Sequence, residues 1–236
     1  IEIESQTQEQ ERLTREQFMM LDFLGRRRRV AIFACAGSGK TTLAYEKARR
    51  LAEQGFKVLL TCFNVNLAER LRWESEESRP DNLQIANFHR LADELVQQAG
   101  LLSGPYTSEY FEKILPERLV DAVDLIGSQF DAIIVDEGQD FFDNWWLPLQ
   151  MLLHDPDQGI FYVFFDDNQN IYRGAKPLPL ESAPFSLPHN CRNTQHIHRR
   201  VLPFYRSEQL PIAIGPEGRP VEQHTYANPN ELKRLL

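Results

Sequence analysis

The residues best able to do chemistry stand in one short stretch, Ala34-Cys35-Ala36-Gly37-Ser38-Gly39-Lys40-Thr41-Thr42. It follows a β-prone apolar run at residues 30–34 and opens a helical pattern at residues 40–54. That is the context in which a glycine-rich loop cradles phosphate. Gly37 and Gly39 let successive backbone N–H groups turn inward around phosphate oxygens, and the helix N-terminus adds a favourable dipole. Ala36, Gly37, Ser38, Gly39, Lys40, Thr41 and Thr42 are therefore the expected nucleotide-binding residues. Lys40 is expected to reach the β- and γ-phosphates and Thr41 to ligate Mg²⁺. Ala34 stands where the strict pattern has glycine.

A phosphate loop also needs an acidic partner for the metal. Ile133-Ile134-Val135-Asp136-Glu137-Gly138-Gln139-Asp140 supplies one. An apolar strand ending in Asp-Glu puts two carboxylates at the carboxyl edge of a sheet, where ligands of α/β folds bind. Asp136 is expected to hold Mg²⁺, mostly through water. Glu137 is expected to activate the attacking water as general base. Alone, such a pair can equally serve to cap the next helix; beside a phosphate loop it predicts Mg·ATP hydrolysis.

Elements that alternate along the chain must position these groups. Thr14-Arg15-Glu16-Gln17 fits a capping box, so a helix is expected over residues 14–24, stopping at Gly25. Strands are expected at 30–34, 57–61, 83–86, 132–136 and 160–165, with helices at 40–54, 66–73, 88–98 and 146–153. Apolar strands separated by helices imply an α/β fold with a mainly parallel sheet flanked by helices. Residues 176–188 hold four prolines and read as a connector. Residues 193–205 fit a helix, 215–220 a turn, and 221–226 the start of a new strand. A main domain over 1–210, with a small insertion around 100–128, is thus expected to precede a connector and the start of a truncated second lobe at 211–236. The chain begins without Met and stops in an amphipathic pattern, so it reads as a piece of a longer protein.

Together these motifs resemble the superfamily 1 DNA helicases of the UvrD/Rep type. Gln17 resembles the family's adenine-reading residue, although the capping box explains it without a base. Residues 36–41 are similar to motif I and Leu60-Thr61-Cys62-Phe63-Asn64 to motif Ia. Asn87-Phe88-His89-Arg90-Leu91-Ala92 resembles the segment spelled TFHxLA, and Asp136-Glu137-Gly138-Gln139-Asp140 resembles motif II. Asp166-Asp167-Asn168-Gln169-Asn170-Ile171-Tyr172 is similar to motif III and Asn190-Cys191-Arg192-Asn193-Thr194 to motif IV. The matches come in the family's order. The spellings DEGQD and NCRNT look most like the bacterial members that carry a nuclease-related domain upstream.

The resemblance implies a RecA-like lobe that binds ATP and Mg²⁺ and works against a second RecA-like lobe. It implies that Gln169 links the γ-phosphate to DNA contact and that Arg192 stabilises transition-state charge like an arginine finger. It implies that single-stranded DNA lies on a face carrying Phe63, Asn64, Phe88, His89 and Tyr172. For Phe88, packing in the core is the competing reading, and for His89 a plain residue at a helix start. The sequence departs from the family where Val65 replaces a lysine after Asn64 and where no tryptophan follows Tyr172. The short interval between His89 and Asp136 leaves no room for a large accessory insertion. Motifs V and VI lie past the end of the chain, so slow hydrolysis and no unwinding are expected of this piece alone. The leading expectation is a motor lobe acting on single-stranded DNA. The alternative is a nucleotide-gated switch module that binds DNA or protein without translocating.

Composition narrows the field. A net charge of -8 argues against a chain that coats nucleic acid by bulk charge, although residues 26–29 are four arginines in a row. The longest apolar run is seven residues, 30–36, where a membrane span needs about 20. No membrane partner is expected. Three scattered cysteines (Cys35, Cys62, Cys191) form neither a disulfide framework nor a zinc cluster. A reducing cytoplasmic setting is the expectation.

Overall fold

The computed structural model describes residues 18–19, 21, 24–166, 178–180, 183–187, 189–190, 193–205 and 210–225. Six strands build its main sheet: β1 (Arg29–Ala34), β2 (Val58–Cys62), β3 (Leu83–Asn87), β4 (Ala132–Val135), β5 (Ile160–Phe165) and β6 (Phe185–Leu187). Their spatial order is β3-β2-β4-β5-β1-β6, and every pairing is parallel. Helices cover both faces: α1 (Lys40–Glu53), α2 (Val65–Glu74), α3 (Phe88–Gln98), α4 (Leu115–Ile126) and α5 (Asp143–Met151). The strand that leads into the phosphate loop and the strand that carries Asp136-Glu137 are not neighbours, because β5 lies between them.

Period-2 alternation along each strand divides the core. Leu59, Ile133, Phe161 and Val163 pack against α3, α4 and α5. Leu60, Ile134, Tyr162 and Phe164 point the other way, against α1 and α2. Strands buried on both faces explain why the sequence shows apolar runs there rather than an alternating pattern.

Three stretches differ from the expectation. The proline-rich connector contains β6, which adds to the outer edge of β1 in register Ile32↔Phe185 to Ala34↔Leu187. Pro184 precedes this three-residue strand, and an edge position tolerates it. Residues 100–128 hold a π-helical turn (Tyr110–Ile114) and α4, packed into the core. Tyr106 and Tyr110 both donate to the Asp93 carboxylate of α3, at 3.2 and 3.1 Å, which knits the insertion to the sheet's helical cover. The strand expected from residue 221 does not form, since residues 221–225 are irregular. A second sheet forms instead, pairing β7 (His189–Asn190) with β8 (Ile212–Ala213) beside the short helix α6 (Gln195–Val201). The helix expected over 14–24 lies largely outside the described residues; Phe18, Met19 and Leu21 are helical.

Candidate nucleotide site

Strand β1 ends at Ala34, whose methyl group is fully buried, so alanine rather than glycine fits there. The loop then turns with Gly37 at φ 80° and Gly39 at φ 84°, conformations that cost a side-chain-bearing residue about 1–2 kcal/mol. The Ser38 amide donates to the Cys35 carbonyl at 3.0 Å, closing the turn. Gly39 is the N-cap of α1, and no side chain caps that helix. The end of α1 thus faces the loop with the partial positive charge that favours an anion. Ala36 and Thr41 are half-buried and Thr42 is exposed, whereas Ser38 is fully buried.

Lys40 is only 6% exposed, and its ammonium is held by carboxylates. Its Nζ lies 3.3 Å from Asp166 Oδ2 and 4.0 Å from Glu137 Oε2. Asp166 follows β5 and Glu137 follows β4, so three elements converge on one charge. Asp136 is completely buried at the end of β4. One of its oxygens, Oδ2, has no hydrogen-bond partner. Burial, and then the neighbouring Glu137 charge, push its carboxyl up to about 7, while a hydrogen bond with the Thr41 side chain and the Lys40 charge pull it down. A desolvated carboxylate with an unmet lone pair next to a threonine hydroxyl fits a hard cation with oxygen ligands. Thr41 and Asp136 could hold such a cation.

Glu137 sits at φ 54°, a left-handed conformation rare for a residue with a side chain. The turn Gly138–Asp140 follows it. Gly138 is required there, since a Cβ would come 2.5 Å from Val163 Cγ1. Gln139 fixes the strained carboxylate. Its Nε2 donates to Glu137 Oε2 at 2.6 Å, and its Oε1 accepts from the Asp166 amide at 3.0 Å. Gln139 and Asp166 line the site; the sequence placed them within motifs II and III but gave neither a role of its own. Their signal was membership of those motifs and their place: two residues past Glu137, and the first residue after a buried strand.

The residues expected to touch DNA divide. Phe63 is 37% exposed and Asn64 is exposed at the head of α2, where its Oδ1 accepts from the Leu67 amide at 3.1 Å. Asn64, Asn66 and Arg70 line one wall of an open cleft of about 610 Å³, with Glu137, Gln139 and Asp140 on the other. Phe88 is different: it is completely buried and stacked on Trp145 with centroids 4.7 Å apart, so it is a core residue with no face left for a base. His89 is half-buried against Trp145 and Phe111. Burial pushes its imidazole down to about 4, against a hydrogen bond to the Phe111 backbone. It is neutral at physiological pH and offers no cation to a phosphate. Gln17, Gln169, Tyr172 and Arg192 lie outside the described residues.

No helix among the described residues is long and apolar enough to cross a membrane. Among solved structures, one described as DNA unwinding at forked double-stranded DNA by two coordinating Pif1 helicases aligns with 65% of this chain and 32% of that chain. The identity is 16% and the TM-score 0.35. This chain thus spans about a third of the helicase chain it matches. No curated protein sequence matches. A family model described as an AAA domain matches residues 22–175, more than half of the chain. With a phosphate loop after β1, acidic residues after β4 and a parallel RecA-like α/β sheet between its helices, the chain belongs to the AAA domain family.

Proposed function

We propose that this chain is the ATP-binding and ATP-hydrolysing motor lobe of a superfamily 1 DNA helicase or translocase of the UvrD/Rep type, acting on single-stranded DNA. The observation that carries the hydrolytic part is the meeting of Lys40, Thr41, Asp136, Glu137 and Asp166 at one edge of the sheet. The helicase part rests on the ordered motifs from Gln17 to Thr194.

In this reading the phosphates lie in the turn made by Ala36, Gly37, Ser38 and Gly39 and against the first turn of α1, with Thr42 at its outer side. Lys40 leaves Asp166 and pairs with the β- and γ-phosphates. Thr41 and Asp136 would hold Mg²⁺, which would supply charge neutralisation at the phosphates. Glu137, freed of the Lys40 charge and still oriented by Gln139, takes a proton from the attacking water at Oε1 or Oε2. Catalysis is then mostly positioning and charge stabilisation, as phosphoryl transfer requires. Gln17, Gln169 and Arg192 are assigned the adenine, γ-phosphate and transition-state roles of their motifs. Single-stranded DNA would cross the surface at Phe63 and Asn64, with Tyr172 as a further contact. The lobe would span residues 1–210 and work in the cytoplasm with a second RecA-like lobe.

Calorimetric titration of Mg²⁺ and a slowly hydrolysed ATP analogue tests this reading, beside Lys40→Ala. Binding in the wild type that drops at least about 100-fold in the variant is expected, because a charge-assisted phosphate contact and its positioning are lost together. Equal binding in the two proteins would sink the assignment.

A further inference from the structure

Gly37 carries no side chain, and its positive φ keeps it in a shape that few other residues adopt. The group pressed against it is the carboxamide of Asn190, from the far side of the sheet's β6 edge. A Cβ on Gly37 would come 2.5 Å from Asn190 Oδ1 and 3.2 Å from Asn193 Nδ2. Asn190 is 1% exposed, so this contact is dry.

Asn190 is also tied in the opposite direction. Its Oδ1 accepts from the Asn193 amide at 3.1 Å, and its Nδ2 lies 3.5 Å from Nδ1 of buried His198. Its backbone carbonyl accepts from the Ile214 amide at 3.1 Å, next to the β7–β8 pairing. Further along, the Gln195 amide donates to the Pro216 carbonyl at 2.8 Å and the His196 amide to the Glu217 carbonyl at 3.3 Å. Residues 212–217 therefore form a strap whose seating fixes Asn190, and Asn190 in turn abuts the phosphate loop.

We propose that Asn190 is a positioning residue that couples the shape of the phosphate loop to the seating of the 212–217 strap. The proposal rests on residues 34–42 being the nucleotide site. Close-packed contacts transmit displacement rather than absorb it. A strap that lifts draws Asn190 off Gly37 and loosens the loop. A nucleotide that fixes the loop must, by linkage, stabilise the strap by the same free energy. The chain after the strap thereby gains a route to sense or set nucleotide occupancy without touching the nucleotide.

Hydrogen–deuterium exchange on the full chain, without nucleotide, tests the coupling. In Asn190→Ala, amides of residues 35–42 and 212–217 are expected to exchange about tenfold faster, the factor that accompanies loss of a buried hydrogen bond. Ile214→Pro removes the strap's N–H donor to Asn190 and leaves the loop sequence intact; it is expected to speed exchange at 35–42 as well. Exchange in β5 and α3 stays at the wild-type rate in both. Wild-type exchange at 35–42 in both variants would reduce Asn190 to a local turn residue and overturn the proposal. Acceleration that spreads to β5 would mark general destabilisation and also count against it. Calorimetry with Mg·ATP separates the two readings: about tenfold weaker binding in Asn190→Ala supports the coupling. No binding by the wild type overturns the nucleotide assignment, while the exchange comparison still decides the contact.

Discussion

Glu137 combines three constraints in one residue: a left-handed backbone, a 2.6 Å hydrogen bond from Gln139 and a lysine 4.0 Å away. Backbone strain of about 1–3 kcal/mol persists only where the surroundings impose it. Here Gly138, wedged against Val163, and Gln139, anchored on Asp166, impose it. The strain serves to aim a carboxylate away from its own strand. Glu137→Gln keeps the shape and removes the proposed base. It is expected to leave Mg·ATP affinity within about threefold of wild type and to slow phosphate release by about 10²–10³-fold; paired calorimetry and single-turnover assays check both halves. His89 makes a separate prediction. Its imidazole is held near 4 by burial, below the ordinary value of 6.5. Between those values the unfolded chain binds a proton that the folded chain refuses, so stability is lost as pH falls from about 6.5 toward 4. His89→Phe is expected to flatten that acid limb, read as the difference in urea midpoint between pH 7 and pH 4.5.

At the scale of elements, α5 is the piece that builds the surface around Phe63. Trp145 is fully buried, stacks on Phe88, meets His89 edge-on at 4.8 Å and lies under Phe63 at 5.8 Å. Trp145→Ala is expected to cost about 3–5 kcal/mol in a denaturant melt, the cost of an emptied aromatic site. Elements with long apolar runs were legible in the sequence: β1, β2, β4, β5 and α3 lie within a residue or two of their expected bounds. What was not legible depended on contacts distant in sequence. Strand β6 is three residues long and exists because β1 offers it an edge. Phe88 reads as an aromatic at a helix start, and only Trp145, far along the chain, decides that it faces inward. The arginine run at 26–29 reads in the sequence either as a local basic groove or as a solvated loop entering a strand. In the fold it lies at the amino edge, where Arg28 donates to the Gln158 carbonyl, and Arg29 donates to the Pro156 carbonyl and covers the Phe161 ring. The phosphate loop and the Asp-Glu pair were legible because their chemistry is local. The individual contacts of Gln139, Asp166 and Asn190 were not, although each stands in a quoted motif, since each acts through a partner on another strand or loop.

For the molecule as a whole, a net charge of -8 limits how a polyanion is met. On the proposed function, contact with DNA would come from a few local groups such as Phe63, Asn64 and Arg70. Binding of a single-stranded oligonucleotide is therefore expected to show a log–log salt slope no steeper than about -3, since each neutralised phosphate contributes about -0.7. A slope near -6, measured by fluorescence anisotropy across a salt series, would point to a broad basic track instead.

The place of β5 has a consequence for what can vary. Neighbouring strands lie about 4.8 Å apart, and one strand stands between β1 and β4. The gap from the loop after β1 to the carboxylates after β4 is therefore about 10 Å, set by two rungs of backbone hydrogen bonds. Such a gauge is indifferent to side-chain identity and to loop length. Insertions before or after these strands can change what the site is connected to, but they cannot retune the span between the loop and the carboxylates.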